Sequence, residues 1–186
     1  DLDAKVGLFL CGWQKNKNYM LIPKLLNEFR NERLNFKIII TAPTSEVKSY
    51  NEFMINIRKY GVESMIYVIG PVKKQQLPSL YKKVDYVFLL SKLESFSNNI
   101  IESWYFKKTL VISDEEWSRS ICKNAAIYVD RNNPYDIVNK ISKSEKKNKL
   151  KHTIIENGNK ILKSFPLIEK KVEMELNYIK LIYESN

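Results

Sequence analysis

The chain has 186 residues, 44% hydrophobic and 28% charged, with 5 Gly and 6 Pro; this balance fits one globular domain with a single core and excludes collagen-like, low-complexity and wholly disordered classes. Lys and Arg outnumber Asp and Glu by 31 to 21, a net charge of +10 that attracts nucleic acid, anionic lipid or phosphorylated small molecules without choosing among them. No apolar run approaches the roughly 18–20 residues that span a bilayer, and the first five residues lack the layout of a signal peptide, so no targeting signal is expected.

Short β-branched and aromatic runs recur along the chain at residues 6–11, 36–41, 64–69, 84–90, 109–112 and 126–129. Most are continuous, such as Lys37-Ile38-Ile39-Ile40 and Tyr86-Val87-Phe88-Leu89-Leu90, the pattern of strands buried on both faces of a parallel sheet. Segments 18–33, 45–60, 75–83, 98–106 and 133–144 between them have helical length and period. The alternation predicts an α/β fold, a Rossmann-like doubly wound parallel six-stranded sheet. Asn18, Ser45 and Asn133 are candidate caps, the last with Pro134 in a tolerated first position. Pro23 removes one backbone bond, so the first helix is expected to start irregularly between Tyr19 and Pro23.

Beyond the sixth strand a basic stretch runs to Lys163, in which Lys143, Lys146, Lys147, Lys149 and Lys151 read as a solvated face. Pro166 then opens a helix with Ile168, Val172, Leu176, Ile179 and Ile182 on one stripe, expected mostly to join the core of this domain. Cys11 and Cys122 are far apart with apolar neighbours and read as buried free thiols of a reducing compartment. The lone histidine, His152, sits among lysines, so neither a metal site nor a Ser/His/Asp or Cys/His arrangement is assembled. Chemistry must rest on carboxylates, amides and lysines.

The richest segment runs from Leu89 to Glu102: a strand end, the polar turn Ser95-Phe96-Ser97-Asn98-Asn99, then a helix. The free amides of that helix point into the crevice where open α/β sheets bind ligands, and its positive end favours a phosphate by roughly 0.3–1 kcal/mol when exposed. Glu94 precedes the turn and Glu102 lies about one helical turn inside, so one carboxylate can reach a sugar beyond the phosphates and the other the hydroxyls of a ribose. A capping glutamate and a surface glutamate would give the same spacing.

With these residues in order, the chain resembles the C-terminal, donor-binding half of a GT-B glycosyltransferase of family 4, whose E-x7-E motif matches Glu94 to Glu102. Leu80-Tyr81 through Asp85 resembles the family's Leu-Tyr-x-x-x-Asp segment; Thr109 to Asp114, Asn124 to Asp130 and Asn133-Pro134 resemble its last two strands and the following helix start. The likeness covers Leu8 to about Ile141. Near the N-terminus Lys17 matches the lysine of the family's R-x4-K motif, whereas Gly12 occupies the arginine position; Lys15 is the candidate substitute. Lys107 stands where the family usually has glycine after the E-x7-E helix, which implies a left-handed lysine.

The resemblance implies a retaining, metal-independent transfer that needs no cofactor. Lys17 and the amides around Ser97, Asn98 and Asn99 would clamp the leaving diphosphate. Glu94 would hold the donor sugar, Glu102 the ribose, and Gly70-Pro71-Val72 the base. The implied catalytic pair is Glu94 and Lys17; the implied donor set adds Gly12, Lys15, Gly70, Val72, Ser97, Asn98, Asn99 and Glu102. The implied donor is a UDP-sugar, a hexose or HexNAc, and the acceptor a glycan or lipid-linked saccharide of bacterial surface polysaccharide (O-antigen or capsule). The protein would be cytoplasmic, at most peripheral at the inner membrane face. Residues 1–163 would form the nucleotide-sugar-binding domain, and residues 164–186 an amphipathic helix with a second option, packing on an N-terminal acceptor domain. Such enzymes react between two domains, so the chain reads as a piece of a longer enzyme that binds donor but transfers little alone. A basic nucleic-acid-binding module and a sugar-nucleotide epimerase are the alternatives; no RNP-like strand, GxxG loop or helix-turn-helix supports the first, so no nucleic-acid partner is expected.

Overall fold

The computed structural model describes residues 3–166 and 168–184. Strands β1 (Lys5–Phe9), β2 (Phe36–Ile40), β3 (Ile66–Val68), β4 (Tyr86–Leu89), β5 (Thr109–Ser113) and β6 (Ile127–Val129) form one sheet in the order β3-β2-β1-β4-β5-β6. Every neighbouring pair is parallel. This is the doubly wound α/β fold expected from the continuous apolar runs. The helices are α1 (Ile22–Asn31), α2 (Val47–Tyr60), α3 (Leu77–Lys82), α4 (Asn98–Tyr105), α5 (Glu116–Cys122), α6 (Pro134–Lys146), α7 (Asn148–Ser164) and α8 (Ile168–Glu184).

Both faces of the sheet are covered, which explains why its strands lack polar alternation. On one face Phe29 and Phe53 from the first two helices and Ile141 from α6 pack with Phe9, Phe36 and Phe88. On the other, Tyr81, Trp104 and Cys122 pack with Leu8, Val87 and Leu110. The α7 helix bridges the two, with Ile154 in the first cluster and Ile161 against the second. Ser91, Thr109 and Ser113 carry buried hydroxyls with no hydrogen-bond partner.

Local chemistry explains the differences from expectation. Pro23 sits in the first turn of α1, preceded by a 3₁₀ turn over Tyr19–Leu21, the irregular start its missing N–H requires. Asn18 caps nothing: it is left-handed (φ 58°) and its amide donates to the Arg131 carbonyl at 2.6 Å. Ser45 gives way to Glu46 before α2, and neither side chain caps it; Asn133 does cap α6, accepting from the Asp136 amide at 3.2 Å. The α5 helix and the long α7 helix replace what reads in sequence as loop and basic stretch. Cys11 is partly rather than fully buried, and both cysteines are free. Along the final helix Val172, Leu176, Ile179 and Ile182 are 47%, 55%, 60% and 46% exposed, so this stripe does not join the core; the Ile168 side chain lies outside the described residues.

Because parallel strands all start at one edge, the returning helices end there too. Arg30 in α1, Arg58 and Lys59 in α2, Lys82 in α3, and Lys143 and Lys146 in α6 occupy last turns, where a cation offsets the carbonyl end of the helix by about 0.3–1 kcal/mol when exposed. Arg33, Lys107 and Lys123, just past α1, α4 and α5, have φ of 55°, 54° and 46°. Glycine adopts positive φ without strain, whereas it costs other residues about 1–3 kcal/mol; Lys123, with ψ −113°, lies outside the left-handed helical region. The dipole gain therefore does not exceed the strain.

At the same edge the Tyr86 hydroxyl donates to Glu145, which also receives Lys151 at 2.7 Å and faces Lys5 at 3.6 Å. Burial pushes the Glu145 carboxyl up, but the bonds from Lys151 and Tyr86 outweigh it and hold the pKa below 4.5. The Arg119 hydrogen bond likewise holds Asp114 below 3.8. Depressed folded-state values stabilise above the unfolded pKa and lose that contribution as pH falls through the folded one. Thermal stability is expected to be insensitive to these groups above pH 4.5 and to drop as the buffer is acidified below it; Glu145→Gln should flatten part of that drop in a melting series.

Candidate functional site

The chain winds outward from β1 through β2 to β3, then returns to β4 and winds the other way. The β1 and β4 carboxyl ends thus flank the switch point where open α/β sheets hold ligands. The loop after β1 carries Gly12, Lys15 and Lys17; the loop after β4 carries Glu94 and the start of α4. The Lys17 ammonium is paired with Glu94 across the crevice, at side-chain exposures of 22% and 13%. Ser97 precedes α4 without a side-chain cap, so the Asn98 and Asn99 amides are available to an anion. The Asn99 side chain donates to the Leu10 carbonyl at 3.1 Å, fixing α4 against the end of β1.

Each partner in the crevice is braced from behind. Trp117 of α5 donates from Nε1 to the Lys92 carbonyl at 3.0 Å, and the Lys92 amide meets the Asn16 carbonyl at 3.4 Å. Asn18 ties the other end of the lysine turn to Arg131, which faces Glu115 at 3.8 Å. Glu102 sits one turn into α4, and the buried Tyr81 hydroxyl donates to its Oε2 at 2.8 Å. Burial, then that hydrogen bond, pushes the Tyr81 phenol far up, so it stays a donor and leaves the other Glu102 oxygen free to orient.

The structure therefore joins Lys17, Glu94 and Asn99, places Gly12 and an exposed Lys15 in the same loop, and sets Ser97, Asn98 and Glu102 along α4. Gly70 (φ 76°) and Val72 follow β3, two strands from β1. Tyr81 and Trp117 had no role assigned from sequence, and Asn18 was read as a cap; their partners lie 21, 25 and 113 residues away, and no local signal announces them. Cys11 borders the void behind Lys17, but burial, opposed by the Lys17 charge, pushes its thiol up to about 12; it is not a thiolate. Among the described residues no cluster of three or more His, Cys, Asp or Glu side chains could hold a metal ion. A polar cavity of about 420 Å³ opens beside the site between the β5 and β6 loops, and an apolar one of about 490 Å³ between α4 and α7, lined by Phe96, Ile101 and Phe165.

A doubly wound domain with a charged crevice at its switch point is a ligand-binding α/β module of the kind that forms one half of GT-B enzymes. The family model for glycosyl transferases group 1 matches residues 2–161, and the chain belongs to that family. Among solved structures, a glycosyltransferase from Rickettsia africae is 17% identical with a TM-score of 0.83, the match covering 99% of this chain and 49% of that one. HepE of Anabaena, solved in complex with UDP and glucose, is 18% identical with a TM-score of 0.78, over 93% of this chain and 48% of that one. The C-terminal domain of LpcC, a group 1 glycosyl transferase from Francisella tularensis, is 18% identical with a TM-score of 0.70, covering 87% and 85%. The chain spans about half the length of the first two full-length structures it matches. No curated protein sequence matches it.

The vacancy of a cation at Gly12 is open to test. A Cβ built there meets the Gln14 side-chain amide at 3.0 Å, the movable end of a flexible and exposed residue. Gly12→Arg should therefore fold, and a guanidinium as a second cation near Lys17 is expected to tighten UDP binding by about 5–50-fold. Unchanged or weaker calorimetric affinity would show that Gly12 does not face the phosphates.

Proposed function

We propose that the crevice binds a nucleotide-sugar, a UDP-sugar carrying a hexose or HexNAc, as the donor half of a family 4-type retaining glycosyltransferase. The observation that carries this reading is the Lys17–Glu94 pair at the open start of α4. It presents one cation and a helix end to a diphosphate, and one carboxylate to hydroxyls just beyond. As the glycosidic bond breaks the leaving diphosphate gains charge, and Lys17 with the Asn98 and Asn99 amides stabilises it without a metal. Donor entry exchanges Glu94 for phosphate on Lys17 and frees Glu94 to accept from sugar hydroxyls. Glu102, aimed by Tyr81, accepts from the ribose, and the Gly70 to Val72 backbone meets the base. Lys15 supplies what Gly12 lacks.

Residues 1–163 act as the donor domain, and the exposed stripe of the final helix packs on an acceptor domain in the whole enzyme. That enzyme works on a glycan or lipid-linked saccharide of surface polysaccharide at the cytoplasmic membrane face. The domain alone binds donor but transfers little. No described helix is long and apolar enough to cross a membrane.

Titration calorimetry with UDP, GDP and ADP in EDTA tests the reading: saturable, UDP-selective binding is expected, and no nucleotide binding overturns it. Tyr81→Phe is expected to weaken UDP by about 5-fold and Glu102→Ala by about 5–150-fold, with 2′,3′-dideoxy-UDP, a deoxy analogue that lacks both ribose hydroxyls, insensitive to both. Equal losses for UDP and its deoxy analogue would remove Glu102 from the ribose.

A further inference from the structure

We infer that the edge of the sheet where the strands start, opposite the crevice, is a docking surface for anionic phospholipid headgroups. The net charge of +10 is unevenly placed. At the crevice edge cations meet carboxylates: Lys17 faces Glu94, Arg131 faces Glu115, and Asp114, Asp130 and Asp136 line the polar cavity beside them. At the opposite edge Lys5 and Lys151 share the single carboxylate of Glu145. Burial lowers the Lys108 pKa, and the Lys151 charge adds to it against the pull of Asp85. Beside them Arg33 borders a concavity of about 360 Å³ whose lining includes Arg30.

A second observation shows that this charge is kept against the backbone's preference. Arg33, Lys107 and Lys123 hold positive φ at three helix ends of this edge, where glycine would be relaxed. Their attraction to the helix ends does not exceed that strain, so fold stability does not account for three cations at three such positions. Recognition of something outside the domain does. The cations come from the ends of separate elements and spread across the edge, which suits a flat field of headgroups, rather than following a groove with stacking rings as single-stranded nucleic acid requires. Tyr105, 67% exposed and two residues from Lys107, supplies the amphipathic ring that settles at headgroup level. With strands of five residues at about 3.3 Å each, docking would leave the crevice roughly 17 Å from the lipid, facing the aqueous side.

The surface rests on the membrane-face part of the proposed function but not on donor binding, so the two fail separately. The chain is sedimented with phosphatidylcholine vesicles, with or without phosphatidylglycerol, in about 0.05 M and about 0.5 M salt, which shortens the screening length severalfold. Binding to the anionic vesicles alone, released by salt, is expected. Arg33→Gly/Lys107→Gly/Lys123→Gly should melt at an equal or higher temperature, keep its UDP affinity, and lose about 100-fold in vesicle partitioning. If that variant fails to fold, Lys82→Glu/Lys146→Glu, on exposed helix ends, should show the same loss. Absence of anionic-vesicle binding, undiminished binding by the folded variants, or tighter binding to a single-stranded RNA than to vesicles would each overturn the proposal.

Discussion

Lys17→Ala is expected to weaken UDP binding by about 10–150-fold, and to lower turnover of the intact enzyme by about 10²–10³-fold. Two effects add. A charge-assisted contact to the diphosphate is lost, and Glu94, 13% exposed in its pair with Lys17, is left as an unpaired carboxylate facing the incoming phosphate. The second effect is separable by a double-mutant cycle: Glu94→Gln in the Lys17→Ala background removes the repulsion and should recover part of the nucleotide affinity, though not transfer. Calorimetry of the four proteins measures the coupling. Additive losses would mean that Lys17 and Glu94 do not meet the ligand together, and an unchanged affinity in Lys17→Ala would take the diphosphate elsewhere.

Gly158→Ala is expected to destabilise the fold by about 2 kcal/mol, lowering the melting temperature by roughly 4–8 °C. Helix propensity argues the other way, because alanine within α7 would gain about 1 kcal/mol over glycine. Space decides the sign. A Cβ at Gly158 would lie 2.3 Å from Cδ1 of Trp104, whose ring is 1% exposed and anchored by Nε1 donation to the Ala125 carbonyl at 3.1 Å. The ring cannot yield without breaking that bond or lifting α7 off α4. A variant that melts at the same temperature or higher would show that the two helices separate at little cost.

Most of the sheet was legible because strands buried on two faces leave a dense signal. All six apolar runs became strands with ends within two residues of expectation. What failed was chemistry that depends on distant partners. Asn18 looks like a cap, yet its amide is taken by a carbonyl 113 residues away. The α7 helix hid because Lys149, Lys151, Asn157, Gly158 and Asn159 dilute its apolar positions, and Gly158, a weak helix former, is required there by the Trp104 ring above it. The final helix has a clear stripe, but periodicity names the face and not what covers it. Within the site, the Glu94 to Glu102 spacing was visible in the chain, and the Lys17 pairing follows from it only once β1 and β4 are neighbours. The Tyr81 hydroxyl on Glu102 was not visible, since nothing local ties α3 to α4.

The Asn18–Arg131 contact also orders events in time. The turn bearing Lys17 emerges among the first twenty residues of this segment, yet its fastening is supplied more than a hundred residues later, after β6 has formed. Contacts of such long separation close late and slowly. A nascent chain that has passed Glu102 thus holds the principal charged groups of the crevice and their brace from the β4 loop, but not the Asn18 tie to Arg131. Complete fastening of the crevice therefore needs chain from beyond the sheet's final strand, and a chain ending before Arg131 is expected to hold the lysine turn only by its contacts with the β4 loop.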